Sequence, residues 1–346
     1  MSAPGFRMAA PVRLVAVAAF AVAATLIILL LAGAPPLDAV SVILDGGVGS
    51  RIRALQSLGV WTPLMLCSAG LLLTFAAGLW NIGIEGQVVM GAIAATCLLR
   101  FFGEGAGTFP LVLGLLAGMA GGALWAWLSG ALRVYGRVHE IFSGLGLNFV
   151  AIGLTLWLIL GPWRQPGAAS LSGTEPLPDD FWLPMPGGFP LWQTVLAAAA
   201  VIAVRIILTK SRWGLVVKAS GQNASAAALW GLRPGLRALQ AMAACGALAG
   251  LAGALQVTGL YHRLLPSISS GYGYTALLAV MMAGFKLGPV IPICFFFAIL
   301  NVGSIQLPLG LRLDSSLAGV IQGVLALSVF VVAGLELRLR RRKGGA

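Results

Sequence analysis

Charge is what this sequence has least of. Only 9% of its 346 residues are Asp, Glu, Lys or Arg, and ten acids face 22 bases. Set beside 59% hydrophobic residues and a mean hydropathy of +0.96, that scarcity excludes a water-soluble globular domain. Histidine occurs only at His139 and His262, without the spacing of a zinc site. The four cysteines, Cys67, Cys97, Cys245 and Cys294, each stand alone in an apolar run, where a thiol behaves as a small apolar group. Neither a disulfide framework nor a metal site is indicated. A phosphate-binding Gly-x-x-x-x-Gly-Lys loop and a Gly-x-Ser-x-Gly elbow are both missing, so the chain itself is not expected to hydrolyse ATP. No His, Asp, Ser or Cys pair in the apolar runs has nucleophile or metal spacing, which argues against an intramembrane enzyme.

Long apolar runs are what it has instead. Leu14 to Leu31 carries no charge, is long enough to cross roughly 30 Å of hydrocarbon, and satisfies its backbone there only as a helix. The run exceeds a usual signal core and is read as a span rather than a cleaved leader. The pattern predicts an all-α polytopic membrane protein, one permease-like domain over 1–346, with ten spans. These are 14–31, 60–79, 84–102, 109–132, 141–160, 189–208, 238–257, 274–285, 290–306 and 316–335. Forty-seven glycines predict close helix approach, with Gly114/Gly118, Gly118/Gly122, Gly246/Gly250 and Gly319/Gly323 at the spacing that allows it.

The bases set an orientation. Arg7, Arg13, Arg133, Arg137, Arg205, Lys210, Arg212, Lys218, Arg233, Arg237, Lys286 and the tail Arg338 to Lys343 fall on one side, which is expected to be the cytoplasm with both termini. Asp38, Asp45, Glu104, Glu175, Asp179, Asp180 and Asp314 fall on the other, with Arg51, Arg53, Arg100, Arg164, Arg263 and Arg312 as the minority of bases there. Arg51 and Arg53 fit that rule badly, so Asp38 to Leu58 is read as an interfacial helix. Basic loops beside anionic lipid account for the formal charge of +12, and no nucleic-acid partner is needed.

Against this background Asn81-Ile82-Gly83-Ile84-Glu85-Gly86-Gln87 places a carboxylate, two carboxamides and two glycines between two apolar runs. An acid near the middle of a span costs about 2.5–3.5 kcal/mol on insertion scales, so it faces a partner, a cavity or a solute path. Glu85 either accepts backbone N–H groups where the chain breaks around Gly83 and Gly86, or touches cargo. Asn81, Glu85, Gln87 and Asn148 offer hydrogen-bonding groups at membrane depth, and Tyr272, Tyr274 and Trp80 offer flat faces to a ring. Ser267, Ser269 and Ser270 before Gly271 suggest a second broken segment. Spans two to five and seven to ten would run in opposite directions, as in an inverted repeat. The loop 209–237 contains a short helix, Ala219 to Gly231, with Asn223 as N-cap and Gly231 as its stop. Such a helix gains stability by docking on a partner.

The run at position 81, Glu140-Ile141-Phe142-Ser143 with Leu147-Asn148-Phe149, Ala219-Ser220-Gly221-Gln222-Asn223 and Gly271-Tyr272-Gly273-Tyr274 together resemble the permease subunit of bacterial ABC importers for nucleosides and simple sugars, over roughly residues 55 to 330. Such permeases are similar to branched-chain amino acid permeases and have the ten-helix type II importer architecture. The resemblance implies a second permease, the same or related, two cytoplasmic ATPase subunits that bind ATP and Mg, and a substrate-binding protein or lipoprotein outside the inner membrane. It implies no cofactor in this chain. It makes Gly221 to Gly231, with Gln222, Asn223 and Ala226, the coupling helix that fits the ATPase. The first span and the outer loop 161–190 carry none of these motifs. The competing reading is an ion-coupled secondary transporter using Glu85 or Glu140 as proton carrier.

Overall fold

The computed structural model describes residues 36–103, 105–165 and 173–307, with isolated positions at 23, 319, 320, 323, 324, 327 and 331. The expected spans 14–31 and 316–335, the basic tail, and 166–172 of the outer loop lie outside the described residues or almost wholly so.

Eleven α-helices follow one another among the described residues: α1 (Pro36–Val48), α2 (Arg51–Ala76), α3 (Ile84–Leu99), α4 (Phe109–Val134), α5 (Glu140–Leu160), α6 (Leu191–Lys210), α7 (Arg212–Gln222), α8 (Ala224–Leu229), α9 (Pro234–Gln256), α10 (Tyr272–Met282) and α11 (Leu287–Ser304). Extended structure there is confined to one bridge, Arg164 to Thr174. Six helices are long and apolar enough to cross a bilayer: α2, α4, α5, α6, α9 with its continuation to Tyr261, and α11. The chain is a multi-pass membrane protein.

The helices begin and end where local chemistry dictates. Pro110 and Pro234 occupy the first turns of α4 and α9, where a missing N–H costs nothing. Ser211 caps α7 by accepting from Gly214 N at 2.9 Å. The shorter α3 and α10 each abut a broken segment, Ala77 to Gly83 and His262 to Gly271. Before the second break, α9 widens into a π segment, Val257–Tyr261.

The chain packs as two units, 1–57 with 296–346, and 58–295. In the first, Ser57 Oγ donates to Gly47 O at 2.7 Å, and a Cβ on Gly303 would stand 2.0 Å from Ile43 O. The stretch expected as one interfacial helix is two: α1, and the opening turns of α2 from Arg51. Arg53, which fits the charge rule badly, meets Asp45 Oδ2 at 2.8 Å across the turn between them. Both side chains are well exposed, so that pair contributes at most about 1 kcal/mol.

The second unit centres on α3, α4 and α9, which meet along small residues. A Cβ on Gly250 would stand 2.1 Å from Gly118 O, and one on Gly91 2.2 Å from Gly250 Cα. A Cβ on Gly246 would reach Gly122 O at 2.2 Å. Backbones this close exchange dispersion contacts that no larger residue permits. Gly319 and Gly323, by contrast, meet nothing among the described residues. Over one end of this unit lies the outer loop. It is tied down by Thr174 N to Leu264 O (3.0 Å), Leu177 N to His262 O (2.7 Å) and Leu183 N to Thr258 O (2.8 Å), with Phe181 fully buried beneath.

Candidate functional site

Two breaks in the helical ladder meet inside the second unit. After α2 the chain turns through Gly78 at φ +72°, and α3 starts at Ile84 without a side-chain cap. Asn81 and Gln87 lie on either side of that start, and their carboxamides pair head to tail. Asn81 Nδ2 donates to Gln87 Oε1 at 3.0 Å, and Gln87 Nε2 to Asn81 Oδ1 at 2.9 Å. Asn81 also reaches Cys245 Sγ of α9 at 3.1 Å. Both residues are buried, where an unpaired amide would cost about 1–3 kcal/mol.

Glu85, one residue into α3, reaches the other break. Its Oε1 accepts from Gly271 N at 3.0 Å and its Oε2 from Gly273 N at 2.8 Å. Gly271 is the N-cap of α10 and sits at φ +73°. The carboxylate therefore meets the positive end of a helix with two N–H groups aimed at it. Gly273 must be glycine, because a Cβ there would stand 2.5 Å from Glu85 Oε2. The amides that hold the acid belong to the second break, not to the segment around Gly83 and Gly86 that the sequence offered as partners.

Asn148, midway along α5, clasps the same start of α3. Its Oδ1 accepts from Gly86 N at 2.8 Å, while Nδ2 donates to Ile82 O at 3.1 Å and to Tyr274 Oη at 3.1 Å. Asn81, Glu85, Gln87 and Asn148 are thus gathered at one place, with their polar groups engaged by protein. Tyr274 joins them through its hydroxyl and leaves its ring 40% exposed. Tyr272, between the two glycines that hold Glu85, is buried. Trp80 is 40% exposed and meets Phe75 edge-on, with centroids 5.3 Å apart.

A second polar cluster stands at the end of the break near α5. Glu140 opens α5, pairs with Arg133 of α4, and lies 3.3 Å from His139 Nδ1. Trp80 N approaches Glu140 Oε1 at 3.4 Å. The ion pair with Arg133, seven residues earlier, is not among the roles that the sequence suggests for Glu140. Gln193 and Gln256, both buried in apolar helices, were passed over although each interrupts a greasy run.

The loop helix takes a different form from the expected one. Ala219 to Gln222 are the last turn of α7, and only Ala224–Leu229 form α8. Asn223 caps α8, its Oδ1 accepting from Ala226 N at 2.9 Å, and Gly231 at φ +75° ends it. Leu229 and Trp230 are 89% and 86% exposed. Gly221 packs against the end of α2: a Cβ on it would stand 2.3 Å from Ala76 O, and one on Gly78 2.8 Å from Gly221 O. The end of α7 is therefore in backbone contact with the first break, beside a cavity of about 310 Å³ bordered by Arg133 and Ser220.

Residues 53–332 match the family described as the branched-chain amino acid transport system permease component. A glucose ABC transporter permease protein of Haloferax volcanii is 32% identical over 305 residues, 84% of this chain and 80% of its own. Two guanosine ABC transporter permease proteins of Bacillus subtilis also match. One is 25% identical over 94% of each chain, and the other 27% identical over 63% of this chain and 71% of its own. With four fifths of its length inside that match, the chain belongs to the branched-chain amino acid transport permease family.

Proposed function

We propose that this protein is the permease subunit of an ATP-driven importer that moves a nucleoside or a simple sugar across the bacterial inner membrane. The contact between Gly221 and Gly78 carries the reading, because it joins a surface helix to the buried break by backbone alone. A push on α8 is transmitted through the end of α7 to Gly78, and from there to Asn81 and the clasp around Glu85. Leu229 ends, and Trp230 caps, a six-residue helix too short to be stable alone, and two such exposed apolar groups suit docking in a cleft of an ATPase. ATP and Mg then belong to that partner, and this chain is a transport subunit rather than an enzyme.

The relatives support the solute class, since their names specify glucose and guanosine. A ring needs a flat face and a few hydrogen-bonding groups with little net charge. Tyr274 and Trp80 have exposed rings beside the clasp, and Asn148 and Gln87 supply amides when the clasp changes partners during a cycle. Two guanosine permeases in one Bacillus favour a related second permease as the mate. Ten spans with an inverted repeat, both termini cytoplasmic and a binding protein outside complete the proposed assembly.

The test uses the complete transporter in vesicles. Replacing Leu229 and Trp230 with alanine is expected to leave the chain inserted while ATP-dependent uptake of guanosine falls at least tenfold. Uptake driven by a pH gradient in vesicles that contain only the permeases would overturn the assignment in favour of an ion-coupled carrier.

A further inference from the structure

The end of α6, the end of α7 and the end of α2 surround a half-open cavity of about 440 Å³. Its walls divide into two kinds. Leu72, Phe75, Leu208 and Phe285 are apolar, whereas Arg205 and Lys218 bring two cations to the same space, and among the described residues no carboxylate lines it. Lys218 is fixed there, its Nζ donating to Leu208 O at 2.6 Å near the C-terminus of α6. A second observation concerns the surface leading away from the cavity. Along α6, Val195, Ile202 and Ile206 are exposed at helical spacing and lead from near the start of the helix to Arg205 and Thr209. An apolar stripe that ends in paired bases at the mouth of a greasy pocket has the polarity of a phospholipid: acyl chain along the stripe, phosphate at the cations.

We propose that this cavity is a binding site for an anionic phospholipid, with Arg205 and Lys218 on the phosphate and Phe75, Leu208 and Phe285 against the upper acyl chain. A free phosphate would satisfy the bases but leave the apolar wall in water. A zwitterionic lipid would bring a cation of its own toward Arg205 and Lys218. The inference needs only that α6 crosses the membrane, and it stands whichever solute is carried. Because Gly221 and Gln222 also border the cavity, a bound lipid braces the α6–α7 corner next to the contact with Gly78.

The experiment is thermal unfolding of the purified full chain in detergent, titrated with phosphatidylglycerol, phosphatidylcholine or inorganic phosphate. Phosphatidylglycerol is expected to raise the midpoint in a saturable way, with little response to the other two. Arg205→Gln should weaken the apparent affinity roughly fivefold, as expected for one base at a charged membrane surface. Arg233→Gln, which removes a base outside the cavity, should leave it unchanged. An equal response to phosphatidylcholine, a full response to phosphate alone, or an equal loss in Arg233→Gln would each overturn the proposal. Were Arg205→Gln not to fold, the comparison of the two lipids on the unaltered chain would still decide it.

Discussion

The seam between α3, α4 and α9 and the break from Ala77 to Gly83 both bury backbone deep in the second unit, by opposite means. At the seam, glycines remove side chains until helix backbones touch, with Gly250 against Gly118 and Gly246 against Gly122. Where the helical ladder is interrupted before α3 and α10, side chains are brought in to satisfy the backbone: Asn148 on Gly86 and Ile82, Glu85 on Gly271 and Gly273. A seam of this kind tolerates no added volume but is indifferent to charge. The clasp is sensitive instead to the loss of a single donor or acceptor.

The largest effect is expected at the seam. Gly250→Leu drives a side chain into the α4 backbone, where the cost is expected to exceed the about 1–3 kcal/mol usual for overpacking because no flexible group can yield. Monodisperse protein in size-exclusion chromatography should be lost; an unchanged profile would mean that the seam is looser than drawn. Next comes Glu85→Gln, which removes charge from two hydrogen bonds worth about 1.5–3 kcal/mol each and faces an amide NH₂ toward an N–H. Assembled protein should fall sharply. Normal assembly with lost uptake would instead place Glu85 on the solute path.

A smaller effect distinguishes pairing from packing. Asn81→Leu leaves Gln87 without its partner and should cost about 1–3 kcal/mol, measured as a lower unfolding midpoint. Adding Gln87→Leu should recover part of that loss, since two apolar groups no longer leave an amide stranded. If the double variant is worse than the single by the full cost again, the two carboxamides act independently.

The smallest effect is expected at the outer loop. His262 is stacked on Trp182 at 3.9 Å, and burial holds its imidazole below the usual histidine range. The unfolded chain then binds the proton more readily than the folded one. Stability from this contact is present above the ordinary histidine pKa and lost as pH falls toward and through the depressed value. Protease cleavage within 173–190 should therefore rise modestly on acidification, and His262→Phe should flatten the profile. An unchanged slope would show that the loop is held by its backbone bonds to residues 258–264 alone.

The sequence was clear where chemistry is one-dimensional. Six of the expected spans correspond to long apolar helices, because hydrophobic length is local information. Expected boundaries moved by several residues: the span read from Val60 starts as a helix at Arg51, and the one read to Phe102 ends at Leu99. Charged residues can continue a helix beyond the hydrocarbon, and hydropathy does not register that. At the site, the odd residues were legible but their partners were not. Asn81, Glu85, Gln87 and Asn148 stand out because polar groups are rare in this chain. That Glu85 would meet Gly271 and Gly273, 186 and 188 positions away, lay beyond any spacing rule.

What the order of amino acids determined alone was the class of molecule, the positions of its greasy rods and the places where they must be interrupted. Each follows from composition over a short window and from the cost of a bare peptide group in hydrocarbon. Which interruption closes on which was decided only in three dimensions, since a hydrogen bond or a backbone contact needs ångström placement that distant segments acquire by packing. The meeting of Gly221 with Gly78, and of one carboxylate with the start of α10, belongs to that second kind.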